Sequence, residues 1–146
     1  MSRWPMGRWL FARAVCFRAP YFASIAPRVD ALEAGRCVVR FAHRRRVTNH
    51  LGTVHAIALC NAAELAAGLA TDTALPASMR WIPRGMRVEY LRRAVGTMTA
   101  VARVDTAMPG DTDDVGVPVD ICDRNGDVVF RATVTMRVSP RPAASR

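Results

Sequence analysis

Between Asn49 and Glu64 the chain reads N-H-L-G-T-V-H-A-I-A-L-C-N-A-A-E, and the residue types in that run could do chemistry. A polar group of Asn49, His50, Thr53 and His55 leads into small apolar residues that carry one carboxylate, Glu64. The run stays apolar through Gly68, Leu69 and Ala70, so the pattern buries Glu64 instead of facing it to bulk water. An unpaired buried carboxylate costs several kcal/mol, roughly, or stays protonated. A carboxyl held in that way is what a general base or nucleophile requires. The structural alternative is a helix acid hydrogen-bonded to a neighbouring loop. His50, His55 and Glu64 could be read as a metal set, but no ligand spacing supports it, and no metal is expected.

The elements that must position these residues follow from periodicity. A helix is predicted from near Thr53 to about Ala70, with Thr53 as its N-cap and residues 72–76 closing it. Upstream, residues 29–32 read as a short helix or turn ending at Gly35. Residues 37–41 read as a strand, and His43, Arg44, Arg45 and Arg46 as a basic loop. Downstream, residues 86–91 and 97–104 alternate as strands, with Gly96 marking a tight connection between them. Residues 109–116 read as an acidic loop. Residues 117–122 and 128–138 then flank an Asn-Gly turn at 123–127, the strongest short-range hairpin signal. The order is a strand, one long apolar helix, then four antiparallel strands. A lone helix so apolar must be wrapped by the sheet, which makes the class α+β. Its small residues, from Ala56 to Gly68, let the sheet approach closely.

At 146 residues and 51% hydrophobic, the chain has material for one compact domain. Its net charge of +9 comes wholly from arginine, a bias typical of GC-rich bacterial genomes, which weakens a nucleic-acid reading. The cysteines, Cys16, Cys37, Cys60 and Cys122, have no paired spacing, so reduced thiols in the cytoplasm are expected. Residues 1–29 hold no acid but carry Arg3, Arg8, Arg13, Arg18 and Arg28 among Trp4, Trp9, Leu10, Phe11, Phe17, Tyr21 and Phe22. The arginines interrupt any secretory apolar core. A short amphipathic helix, broken near Pro20 and packed on the domain, is the expected reading. An organellar presequence and attachment to a membrane surface are its alternatives, and membrane contact is not expected. The resulting division is a helical segment over 1–34, a domain over 35–138 and a disordered tail over 139–146.

This layout, with the residues at its centre, resembles the hot-dog-fold thioesterases, in particular their PaaI-like branch. That branch shows an Asn, a Gly, then His-Gly-Gly opening the central helix, with an acid nine residues after the His. Asn49, Gly52, His55 and Glu64 stand in that order and spacing. Val88-Glu89-Tyr90-Leu91-Arg92-Arg93-Ala94 is similar to the family's flRPa strand, and Gly96-Thr97-Met98-Thr99-Ala100 to its G-x-l-x-A strand. Asp123-Arg124-Asn125-Gly126 followed by Val128-Val129 resembles its D-x-x-G-x-l-v hairpin. The aromatic and arginine-rich N-terminus resembles a domain-of-unknown-function branch of the superfamily.

The resemblance implies a curled antiparallel sheet around one central helix, with an N-terminal helical extension. It implies hydrolysis of an acyl-CoA or acyl-carrier thioester, with Glu64 as general base or nucleophile and no cofactor beyond the CoA of the substrate. The N–H of Ala56 would hold the oxyanion, because free N–H groups and the positive dipole end gather at a helix start. Asn49 would donate to the same carbonyl, although a turn-forming Asn fits equally. His55 would brace that loop. Gly52, Thr53, Arg92 and Arg93 would line the substrate. Arg84, Arg87 and Arg137 are open either to CoA phosphates or to solvent. Arg93 replaces the family's proline, and Ala56 and Ile57 replace its two glycines; the latter two favour a second reading, a non-catalytic acyl-CoA binder or sensor. A homodimer or dimer of dimers is implied, because nine helical residues advance roughly 13 Å and half a turn. His55-Ala56 and Glu64 of one chain therefore point away from each other and cannot flank one carbonyl.

Overall fold

The computed structural model describes residues 5–104 and 107–144. Arg3 and Trp4 of the N-terminal segment and the last two residues of the tail lie outside them. Helix α1 (Pro5–Arg18) is followed by a 3-10 turn (Pro20–Ile25) and strands β1 (Arg28–Glu33) and β2 (Arg36–Phe41). A second 3-10 turn (Arg45–Val47) precedes helix α2 (Ala56–Ala74), after which come β3 (Met79–Tyr90), β4 (Met98–Arg103), β5 (Asp113–Cys122) and β6 (Val128–Pro140). The strands form one antiparallel sheet in the order β1-β2-β4-β5-β6-β3, curled around α2, which touches every strand. This is the hot-dog arrangement expected.

Helix α2 is buried on most of its circumference, as its alanines require. Ala62, Ala63, Ala66, Ala67 and Ala70 are wholly inaccessible, and the sheet answers with Phe41, Met98, Ile121, Phe130 and Met136. Gly68 supplies the closest approach. A methyl group there would come within 2.7 Å of the Trp81 ring, whose Nε1 donates to Asp72 at 3.3 Å.

Several expected boundaries move, each for a local reason. Residues 29–32 are strand, not helix or turn. Their helix-forming Ala31, Leu32 and Glu33 are overridden by pairing with β2, and a bulge between Val29 and Ala31 sets Asp30 against Arg28 and Arg40. The stretch 1–34 is therefore helical only in part. Helix α2 begins three residues after Thr53 and runs past Ala70, because hydroxyls hold its last turn. Thr71 Oγ1 donates to the Ala67 carbonyl, and Thr73 Oγ1 reaches the Glu33 carbonyl at 2.9 Å while accepting from the Gly35 N–H. Pro76, two residues after Ala74, cannot continue the helix.

Strand β3 begins at Met79, not Met86. Pro83 is tolerated because β3 is an edge strand and the register shifts between Pro83 and Gly85. Asp113 and Asp114, expected in a loop, open β5 instead. The Asp114 carboxylate joins Arg84 of β3 at 2.9 Å to Arg137 of β6 at 3.1 Å. The hairpin at 123–127 lies where the Asn-Gly signal puts it. Gly126 has φ +85°, and Asp123 Oδ1 accepts from the N–H groups of Asn125 and Asp127. Finally, Ser139 and Pro140 belong to β6, and Arg141 bonds the carbonyls of Ser78 and Met79, so order extends past Val138.

The four cysteines stand free. Burial pushes the Cys37 thiol up from 9.0 to about 12, against the smaller lowering effect of Arg36. With the folded value above the unfolded one, the thiol's contribution to stability is complete below about pH 9 and is lost as pH climbs toward 12. Urea titrations of the wild type and Cys37→Ala should therefore show a stability difference that narrows as pH rises through 9. A difference constant from pH 7 to about pH 11 would contradict the burial of this thiol.

Candidate active site

The loop before α2 is organised by Asn49. Its Oδ1 accepts from the N–H groups of Leu51 at 3.0 Å and Thr53 at 3.1 Å, and its Nδ2 lies 2.9 Å from Thr53 Oγ1. The backbone closes the same turn, with Asn49 N–H on the Thr53 carbonyl and Gly52 N–H on that of Asn49. Gly52 takes φ +77°, a conformation costly for any residue with a side chain. Within one chain this is the geometry of a turn-forming Asn. Thr53, buried and bonded to Asn49, is not the helix cap.

That role falls to His55. Its Nδ1 accepts from the Ile57 N–H at 3.0 Å, its carbonyl accepts from Ala58 and Leu59, and its N–H donates to Val47 at 2.7 Å. A cap built on imidazole nitrogen escapes a search for Ser, Thr, Asp and Asn caps. Because His55 serves the Ile57 N–H, the neighbouring Ala56 N–H has no acceptor among the described residues. It is a free donor at the positive end of a 19-residue helix.

Arg92 and Arg93 follow β3 and are exposed. Their loop is stitched to the helix-entry loop by the Val54 N–H on the Ala94 carbonyl at 2.8 Å, so both basic residues stand near the Ala56 end of α2. Arg92 lies 3.9 Å from Asp127, and Arg93 has no partner among the described residues. Arg84 and Arg137, by contrast, are taken up by Asp114. His50, exposed, lies away from any metal arrangement, and no group of three or more His, Cys, Asp or Glu among the described residues could hold an ion.

Glu64 sits more than two turns further along α2 and is half-buried, more open than the pattern suggests. No described residue donates a hydrogen bond to its carboxylate. Two cavities meet at it. One, of about 370 Å³, is bounded by Tyr21, Phe22, Ile57, Cys60 and Asn61; the other, of about 470 Å³, by Val15, Arg18, Phe22, Leu65 and Trp81. Their roof is the end of α1 and the 3-10 turn after it. The structure thus gathers Asn49, Gly52, Thr53, His55 and Ala56 at one end of α2 and leaves Glu64 apart from them.

Asn61, not among the expected site residues, fixes that roof. Ser24 donates its hydroxyl proton to the Tyr21 carbonyl at 2.7 Å, so its oxygen accepts from Asn61 Nδ2 at 3.0 Å. The signal in the sequence was a lone amide in an alanine-rich helix. Cys60, on the same cavity wall, has its thiol raised by burial, partly offset by the Tyr90 hydroxyl 3.9 Å away.

Comparison with known proteins gives the class. The chain belongs to the DUF4442 family, a domain of unknown function whose family model matches residues 7–138. It is 51% identical to the crystal structure of a genomics target, over 90% of this chain and 88% of that one, with a TM-score of 0.82. A Pseudomonas aeruginosa protein of unknown function, given as a probable thioesterase, is 22% identical over 90% and 95% of the two chains, TM-score 0.80. A point mutant of the phenylacetic acid degradation protein PaaI from Thermus thermophilus is 23% identical over 81% and 97%, TM-score 0.70. The fold is therefore that of the hot-dog thioesterases. No curated protein matches the chain.

Proposed function

We propose that the protein hydrolyses the thioester of an acyl-CoA or acyl-carrier substrate, as a homodimer or dimer of dimers whose sites each draw on two chains. The observation that carries this is the pairing of a free Ala56 N–H at one end of α2 with an uncommitted Glu64 carboxylate in a cavity further along it. Glu64 takes a proton from water, the oxygen attacks the thioester carbonyl, and the resulting oxyanion accepts from the Ala56 N–H. The tetrahedral intermediate collapses to the acid, and the thiol leaves with the proton. Water and the substrate supply every atom, so no cofactor beyond the substrate's CoA is involved. Arg92 and Arg93 are placed to meet CoA phosphates.

The two chains are required by distance, since Ala56 and Glu64 lie roughly 12 Å apart along one helix. An antiparallel partner brings the helix start of one chain beside Glu64 of the other. Leu51, Ile57, Tyr90, Leu91 and Val95 are exposed, an apolar face for that partner to cover. The free thiols fit a cytoplasmic setting.

One observation favours a second reading, an acyl-CoA binder or sensor without turnover: Ile57 lines the cavity where the family pattern has glycine. A thiol-release screen across short, medium, long and aromatic acyl-CoAs separates them. Turnover supports hydrolysis, and binding without turnover supports the sensor. Complementation tests the shared site. Glu64→Ala and Ala56→Pro, the latter tolerable in a first helical turn, should each be inactive alone. Co-expressed heterodimers should recover part of the activity, because one site regains both groups. A light-scattering mass of one chain, or no recovery from a folded heterodimer, would exclude it.

A further inference from the structure

Helix α1 is apolar on the side that faces away from the domain. Ala12 is buried beneath it and Val15 half-buried, which gives the helix one conventional inner face. Met6, Leu10, Arg13 and Phe17 recur at helical spacing on the opposite side, with Trp9 beside them. Phe17 is 91% exposed, Met6 67%, Leu10 56% and Trp9 53%. The expectation that these aromatics pack on the domain is therefore overturned for the outer stripe. A helix apolar on both sides is normally covered on both.

The charge on this surface says what covers it. Among the described residues, α1 and the turn after it hold Arg8, Arg13 and Arg18 and no acid. Arg13 lies over the Trp9 ring at 4.9 Å, so a cation and an aromatic share the exposed stripe. A two-fold contact with a second copy would set these cations against themselves, with no carboxylate on the stripe to pair them. An anionic lipid surface offers what is missing, negative charge for the arginines and an apolar boundary for Phe17, Leu10 and Trp9.

We infer that α1 is a docking helix for anionic membrane surfaces, lying flat with its outer stripe in the headgroup region. No helix among the described residues is long and apolar enough to cross a membrane, so the contact is peripheral. The inner side of the same helix, through Val15 and Arg18, roofs a cavity at Glu64. Docking holds that cavity within about a helix diameter, ~10 Å, of the lipid. This inference does not depend on turnover and stands or falls separately from the hydrolase reading.

Co-sedimentation of the full chain with vesicles tests it, comparing phosphatidylcholine alone with phosphatidylcholine containing about one-third phosphatidylglycerol. The protein should bind the anionic vesicles, less so at high salt, and leave the neutral ones in the supernatant. Phe17→Ser and Leu10→Ser should each weaken partitioning by roughly tenfold or more, and Arg13→Gln by roughly fivefold. Because these side chains are exposed and line neither cavity, melting temperature and turnover of a short soluble acyl-CoA should not change. Unaltered vesicle binding by Phe17→Ser with Leu10→Ser, or no binding by the wild type, overturns the inference. So does a lipid-free mass that falls in these variants, which would assign the stripe to a second copy of the chain.

Discussion

Replacement of Glu64 by glutamine is expected to lower thioester turnover by roughly 100-fold or more while leaving the protein folded. Glutamine keeps the size and the hydrogen-bonding reach of the side chain and removes only the base. The carboxylate accepts no hydrogen bond from any described residue and borders two cavities, so no ion pair or hydrogen bond among the described residues depends on it. Melting curves should superimpose within a degree or two, roughly, as for substitutions clear of the core. Steady-state kinetics on the best acyl-CoA from the screen decides the matter. An unchanged rate would remove Glu64 from the mechanism, and a lost fold would mean that its role is structural.

The largest expected effect on stability lies across the sheet. Phe130 is wholly buried on β6, opposite Ile121 of β5 and Tyr90 of β3, whose ring centroid is 5.8 Å away. Strand β6 is bonded on both sides, so it cannot shift to fill a void left by the ring. Phe130→Ala should cost about 3–5 kcal/mol, a fall of roughly 10–15 °C in Tm for a chain of this length. Thermal unfolding followed by circular dichroism measures it. A cost under about 1 kcal/mol would mean that this part of the core is loosely packed.

What the sequence disclosed depended on whether the signal was local. The Asn-Gly hairpin announced itself because its backbone needs a residue at positive φ, and Gly126 supplies it. The apolar run from Ala56 showed that a sheet must surround α2. Strand β1 was hidden because Ala31, Leu32 and Glu33 favour helix, and only pairing with β2 reverses that. The early part of β3 was hidden by Pro83, which is harmless at an edge. At the site, the order and spacing of Asn49, Gly52, His55 and Glu64 were visible. The capping by His55 and the roof held by Asn61 were not, since each depends on a partner that only folding brings near. Phe17 misled in the other direction: its hydrophobicity suggested burial, and it lies in the open.

The alanine lining of α2 has a consequence for how this protein can change over generations. On its sheet side the helix is so tightly enclosed that Ala62, Ala63, Ala66 and Ala67 have no room for a larger neighbour. Any mutation that deepened a pocket in that direction would have to open the core and forfeit stability. The outer side is different, because Tyr21, Phe22, Val15 and Arg18 border the space at Glu64 from a segment that holds no strand. New ligand preferences can therefore arise through drift in the first two dozen residues, roughly, without weakening the sheet beneath. Divergence among relatives, and any laboratory selection for altered specificity, should concentrate there, while the helix that carries the carboxylate stays almost frozen.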